Sequence, residues 1–316
     1  MSMSAQYRSL GDGRLHFQHG PMDIVVAADG EATAVRQAHT QAWARFRGLL
    51  QELVSELPAL RAPVEGVCPL RGVVARRMWA AAEMHRPAFV TPMVAVAGAV
   101  AQELLLAYDR AGIARAWVNN GGDIALHLTE GTSLRIGLFA QIDRLARLDL
   151  GQDLPIDGRF EVAHSSMVRG VATSGWRGRS FSLGIADSVT VLAPTAAEAD
   201  AAASLIANDV NVDAPGIVRM PANQLKDDSD LGDIPVTVDV PPLTPRQIAQ
   251  ALQRGREHAM ALRGAGHIQA CYLTCQGWSV STETHDMAPR MAPMPLNTAY
   301  DRGATDHAVR AQELHP

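Results

Sequence analysis

The sequence predicts an α+β protein in which sheets of mixed or antiparallel strands are packed by alanine-rich helices. Three observations carry this expectation. Short apolar runs cut by glycine turns recur at both ends and in the middle of the chain, which is the pattern of hairpins. Apolar residues at helical spacing form several separate stretches dominated by alanine, valine and leucine. Aromatic residues make up only 5%, so these helices must approach their sheet closely rather than fill space with large rings.

Taken in order, residues 7–28 alternate loosely through Leu15 and Phe17, break at Gly20-Pro21 and resume at Ile24, Val25 and Val26, predicting a hairpin. From 31 to 57 the positions Val35, Ala38, Trp43, Phe46, Leu49, Leu50 and Leu53 predict one long amphipathic helix. A second helix is expected over 73–85, with Val74, Met78, Ala81 and Ala82 buried. Thr91-Pro92 reads as N-cap and first helical residue of a helix over 93–109. Its first positions, Ala95, Ala97, Gly98 and Ala99, are small enough for close packing or for an anion at the first-turn N–H groups.

The stretch 116–126, AWVNNGGDIAL, reads as strand, turn and strand with a carboxylate at the break. Asn119, Asn120, Gly121 and Gly122 suit a two-residue hairpin turn. They equally suit a loop in which a ligand lies directly on the peptide units, because glycine leaves no side chain in the way. Further strands are expected at 134–139, 160–165 and 189–193, with a Thr173-Ser174-Gly175 turn among them. Small hydroxyls beside glycine close turns and also donate to phosphate oxygens. Thr195-Ala196-Ala197-Glu198 is a capping box opening a helix to about 208. On it Asp200, Ser204 and Asn208 share one face, either as a solvated stripe or as hard oxygen ligands for a Mg²⁺-type ion.

Residues 221–232 are polar and acidic and read as a loop, 236–240 as a strand, and Thr244-Pro245-Arg246-Gln247 as a second capped helix start running to about 263. Strands at 267–274 and 278–281 end the periodic part. One domain is therefore expected over 1–285, with 286–316 a flexible, exposed C-terminal tail.

The 316 residues carry a net charge of -5 and no long Lys/Arg block, which argues against nucleic acid or an anionic membrane as partner. No apolar run reaches the roughly 20 residues of a membrane span. The start MSMSAQYRSL has no apolar signal core, so a soluble cytoplasmic protein is expected. Cys68, Cys271 and Cys275 lack the paired spacing of zinc sites and read as reduced structural thiols.

Three separated segments, VNNGGDIAL at 118–126, ATSG at 172–175 and SVTVLAPTAAEADAAAS at 188–204, together resemble the ApbE-like superfamily, whose best-known members are FAD:protein FMN transferases. The resemblance spans about 7–283 and is stronger to the soluble, functionally uncharacterised branch. Like that branch, the chain has a TPM-AVAG helix start at 91–98 and an Ala207-Asn208 pair ending the later helix. It implies an ApbE-like fold and a flavin or nucleotide pocket lined by Asn120, Gly121, Gly122, Thr173, Ser174 and Gly175. It also implies Mg²⁺ on Asp200 and Ser204, with FAD or FMN as a further cofactor. The activity implied is a Mg-dependent enzyme acting on a flavin- or pterin-like nucleotide, by transfer of FMN or cleavage of a pyrophosphate. The alternative is a non-catalytic binding protein that kept the pocket.

One departure bears on this choice. Flavin transferases carry a His-Ile-x-Asp-Pro-x-Thr-Gly stretch, where this sequence reads GRSFSLGIAD at 178–187, with Arg179 and Asp187 but no histidine. The catalytic candidates are therefore Asp123, Asp187 and Arg179. Arg179 can stabilise phosphate charge but, always protonated, cannot act as a base. His164 is a further candidate base. The expected partner is a small nucleotide-like molecule, with homo-oligomerisation left open.

Overall fold

The computed structural model describes residues 4–138, 158–178, 180–227 and 229–283. It opens with β1 (Gln6–Ser9), β2 (Leu15–His19) and β3 (Met22–Gly30), followed by α1 (Ala32–Ser55), α2 (Leu57–Leu60) and α3 (Val73–Glu83). Next come α4 (Val96–Leu105), β4 (Ile113–Asn120), β5 (Asp123–Leu128), β6 (Ser133–Leu138) and β7 (Gly158–Ala163). The second half contains β8 (Gly170–Ser174), β9 (Ser188–Ala193), α5 (Ala196–Asp209), β10 (Val218–Pro221) and α6 (Ala222–Leu225). It ends with β11 (Pro235–Asp239), α7 (Pro245–Gly264), β12 (Ala270–Cys275) and β13 (Trp278–Ser281).

Nine strands form one sheet in the order β1-β2-β3-β4-β5-β8-β9-β12-β13, and β6-β7 and β10-β11 form two separate pairs. Every pairing among the described residues is antiparallel. The α+β expectation holds in its antiparallel form.

Alternation along the strands divides the apolar residues between the two faces of the large sheet. On one face Ile24, Val26, Ala116, Val118 and Ala125 pack under α1, α3 and α4, and Val189, Val191, Cys271 and Leu273 pack under α5 and α7. On the other, Trp117, Ile124, Leu126 and Leu192 are covered by Leu134, Ile136 and Val162 of β6-β7. Helix α5 belongs to both helical clusters, through Ala197, Ala201 and Leu205 on one side and Ala199, Ala203 and Ile206 on the other. Being buried on both flanks explains why it is built of alanine: larger side chains would hold its neighbours away. At Gly98 a Cβ would lie 2.1 Å from the Ala196 carbonyl oxygen, and at Gly170 one would lie 2.2 Å from the Thr195 carbonyl carbon. These two glycines let α4 and β8 rest directly on the first turn of α5.

Four local expectations change. The helix expected over 93–109 is a 3₁₀ turn at Pro92–Ala95, then α4, then a 3₁₀ turn at Leu106–Tyr108. Thr91 does not cap it, because its hydroxyl donates to the Asp230 carboxylate at 2.5 Å, a stronger charge-assisted bond. Only half of the first capping box forms: Thr195 Oγ1 accepts from the Glu198 N–H at 3.2 Å, while Glu198 Oε2 is buried without a partner. The box at Thr244 and Gln247 is complete. The polar, acidic stretch 221–232 is not all loop, since β10 ends at Pro221 and α6 occupies Ala222–Leu225. The expected tail beyond 283 lies outside the described residues.

Cys271 and Cys275 are free thiols inside the core, where burial pushes both up, Cys275 to about 12. Among the described residues no helix is long and apolar enough to cross a membrane.

Candidate functional site

The Asn-Gly-Gly-Asp turn is a two-residue hairpin connection. Asn120 pairs with Asp123 across it, and Gly121 and Gly122 take φ of +68° and +116°, values that side chains disfavour. Asn119 Oδ1 accepts from the Gly122 N–H at 2.8 Å, which fixes the turn from behind. The turn reading therefore holds, and the tip of the hairpin is bare backbone.

Around this tip the fold gathers three other segments. Asn120 donates from Nδ2 to the Ala97 carbonyl at 3.1 Å, tying the hairpin to the start of α4. Asp200 Oδ2, from α5, accepts the Gly98 N–H at 2.9 Å. Asp123 Oδ1 accepts the Thr173 N–H of β8 at 3.3 Å. The anion expected at the first turn of α4 is therefore the protein's own Asp200 carboxylate. Dipole and N–H groups stabilise it there.

Asp200 is buried. Burial, and next to it the negative charge of Asp123, push its carboxyl well above the ordinary carboxylate range; the N–H groups of Gly98 and Ala97 pull the other way and lose. A buried carboxyl under the charge of the half-buried Asp123 favours a proton or a nearby cation. Among the described residues no three His, Cys, Asp or Glu side chains converge to form a metal cluster. A cation held here would take at most two carboxylates and complete its shell with hydroxyl, backbone or water oxygens, or a ligand's phosphates. That donor set fits Mg²⁺, which needs few protein ligands and keeps waters or phosphates, and does not fit zinc.

The other predicted residues divide. Ser204, one turn after Asp200, is half-buried on the same helix. Asn208 leaves the stripe: its Oδ1 accepts from the Leu183 N–H at 2.9 Å and from Ser182 Oγ at 3.3 Å, holding the loop before β9. Thr173 offers its N–H to Asp123, but its hydroxyl pairs with Thr190 Oγ1 at 2.9 Å on the sheet's other face, so by alternation Ser174 is the hydroxyl sharing Asp123's face. A Cβ on Gly175 would lie 2.3 Å from the Asp187 carbonyl oxygen. Asp187 Oδ2 accepts the N–H of Gln276 in the β12-β13 turn. His164 lies exposed at the end of β7, and Arg179 lies outside the described residues. Two contacts had no clear sequence signal: the Asn120 grip on Ala97, and the Thr91–Asp230 bond linking positions 139 apart.

Comparison with known proteins places the chain in a family. The family described as AbpE bacteria matches residues 6–282. A UPF0280 protein of Methanosphaerula palustris is 35% identical over 208 residues, covering 65% of this chain and 79% of its own. A UPF0280 protein of Methanopyrus kandleri is 34% identical over 208 residues, covering 65% and 78%. The apo flavinyl transferase ApbE of Pseudomonas stutzeri aligns at 14% identity with a TM-score of 0.43, over 89% of this chain and 95% of that one. With the family match covering nearly all the described residues, the chain belongs to the AbpE bacteria family, within the ApbE-like superfamily.

Proposed function

We propose that this protein is a Mg²⁺-dependent enzyme acting on a flavin- or pterin-like nucleotide, with FAD or FMN as the ligand to test first. The observation that carries the reading is the buried Asp200 carboxyl, which accepts the Gly98 N–H at the start of α4 and feels the charge of Asp123. Buried like charges are costly, and a divalent ion neutralises them. When bound, that ion would spread the negative charge of a phosphoryl group.

The chain's own residues would do the rest. Asp200, Asp123 and the Ser204 hydroxyl are the oxygen donors for the ion. Gly121 and Gly122 leave a flat backbone tip on which a ring or phosphate can lie, and the peptide and hydroxyl of Ser174 are in the next strand turn. Asn120 fixes the tip to α4, so that the turn and the Asp200 carboxylate keep one geometry. Of the three catalytic candidates Asp123 is the best supported, since its charge acts on Asp200. Asp187 receives the Gln276 N–H and is assigned mainly to positioning, and Arg179 is assigned to phosphate charge. Location in the cytoplasm and a role without nucleic acid or membrane belong to the same reading.

A second reading, a flavin or nucleotide carrier without turnover, is favoured by the absence of histidine from 178–187 and by the engagement of Asp187 with Gln276. Titration calorimetry with FAD, with and without Mg²⁺, on the wild type and Asp200→Ala tests the pocket, and an FMN-release assay separates the two readings. Metal-dependent FAD binding lost in Asp200→Ala supports the site. No binding by the wild type in either condition overturns both readings.

A further inference from the structure

Away from the site, one buried titratable group lacks any partner. His85, in the turn after α3, is 7% exposed, and both its ring nitrogens are buried without a hydrogen-bond partner. A neutral imidazole has one donor and one acceptor, and leaving both unsatisfied is costly unless the position does something else.

Two other histidines stand near it. The ring of His258, on α7, meets it edge-on with centroids 6.5 Å apart. His267, just after α7, also acts on it electrostatically. From α5, Asp209 Oδ2 lies 2.6 Å from His258 Nδ1. On its own segment Glu83 and Arg86 are paired with each other at 3.1 Å. These groups do not assemble a metal centre, since no three such side chains among the described residues converge on one point. What remains is proton uptake. A proton on His85 would sit in a buried position with no hydrogen-bond partner, edge-on to the His258 ring.

That position has a mechanical consequence. His85 is the first residue of the segment 85–91, whose far end carries the Val64–Val90 backbone bond and the Thr91–Asp230 bond. Thr91 leads straight into the turn that packs on α5 beside Asp200. We propose that the His85, His258 and His267 cluster is an acid-released latch: a proton on His85 drives that ring out of its buried place beside His258 and, through the segment ending at the buried Val90 and Thr91, loosens the start of α4.

Burial, with the charges of His258 and His267, depresses His85 to about 4, against 6.5 in an open segment. A proton therefore favours the open form over that window, and opening should increase about 20-fold between pH 7 and pH 5. Hydrogen exchange of residues 84–97 in the full chain, corrected for intrinsic rate, measures this without any ligand. The wild type should show the increase and His85→Phe less than a twofold change. Equal protection of the wild type at both pH values, or the same increase in His85→Phe, overturns the latch. If His85→Phe does not fold, His267→Gln serves instead. Removing that neighbouring charge should raise the NMR titration midpoint of His85 and reduce opening at pH 5, and wild-type behaviour in both measurements overturns the proposal.

Discussion

Asp200 accepts the backbone N–H of Gly98 across 102 positions of sequence, at 2.9 Å, and this bond joins the two halves of the fold where the candidate site lies. The charge of Asp123 acts on the same carboxyl, so a structural bond and a charge conflict coexist in one side chain.

Asp200→Asn separates the two. An amide oxygen keeps the Gly98 bond while the charge disappears. Because the folded-state value of Asp200 lies above the unfolded 3.8, the folded state holds the proton more tightly; stability is lost as pH rises from 3.8 through the folded value and stays lost above it. The variant should therefore be more stable than the wild type at pH 7.5 in EDTA, by about 1–3 kcal/mol. Millimolar Mg²⁺ should stabilise the wild type by mass action and leave the variant unchanged. Urea titrations in the two buffers read both effects, and a variant less stable than wild type in EDTA would sink the argument.

Gly98→Ala tests the crossing itself. The new Cβ would stand 2.1 Å from the Ala196 carbonyl oxygen and 3.0 Å from the Ala197 nitrogen, both backbone atoms that cannot rotate aside. Moving α4 off α5 also stretches the Asp200 bond, and a loss of about 3 kcal/mol or more is expected. Gly264→Ala, at the last position of α7 with nothing within 4 Å, is the matched control and should be neutral or gain up to about 1 kcal/mol. Thermal and urea melts of the pair distinguish steric contact from a general intolerance of alanine.

The sequence pattern made much of this legible. The hairpin at 116–126 and the helices at 32–55 and 196–209 are set by local chemistry: paired glycines at a turn, apolar residues at helical spacing, and Thr195 before an alanine run. Asp123 was singled out as the carboxylate at the glycine turn, and Asp200 by its place on a polar stripe of the capped helix and by the family resemblance. What did not show were tertiary choices. The Thr91 hydroxyl had a good local partner in the helix it precedes and took a carboxylate from position 230 instead. Asn208 stood in helical register with Asp200 and turned to the Leu183 N–H. The strand Val218–Pro221 has little apolar pattern and exists because Pro235–Asp239 lies beside it. Side chains that bond distant backbone leave no periodic trace.

The Glu103 network offers a test of electrostatics away from the site. Glu103, on α4, receives Arg45 Nε from α1 at 2.7 Å and Arg77 Nη1 from α3 at 3.0 Å, so one carboxylate ties three helices. Burial acts to raise Glu103, but the two guanidiniums outweigh it and hold the group below the usual carboxylate value. Its contribution is therefore present above the unfolded value of 4.5 and lost as pH falls through the folded one. Glu103→Gln leaves Arg77 and Arg45 facing a neutral amide and should cost about 2–4 kcal/mol at pH 7. Arg45 keeps its bond to Glu52 at 2.7 Å, so the loss should fall mainly on the contact with α3. The gap between wild type and variant should narrow below pH 4.5, because protonating Glu103 in the wild type produces the same neutral group. Urea titrations of both proteins from pH 7 down to pH 4 measure that gap, and one that widened in acid would show that the network's charge is not what holds the three helices.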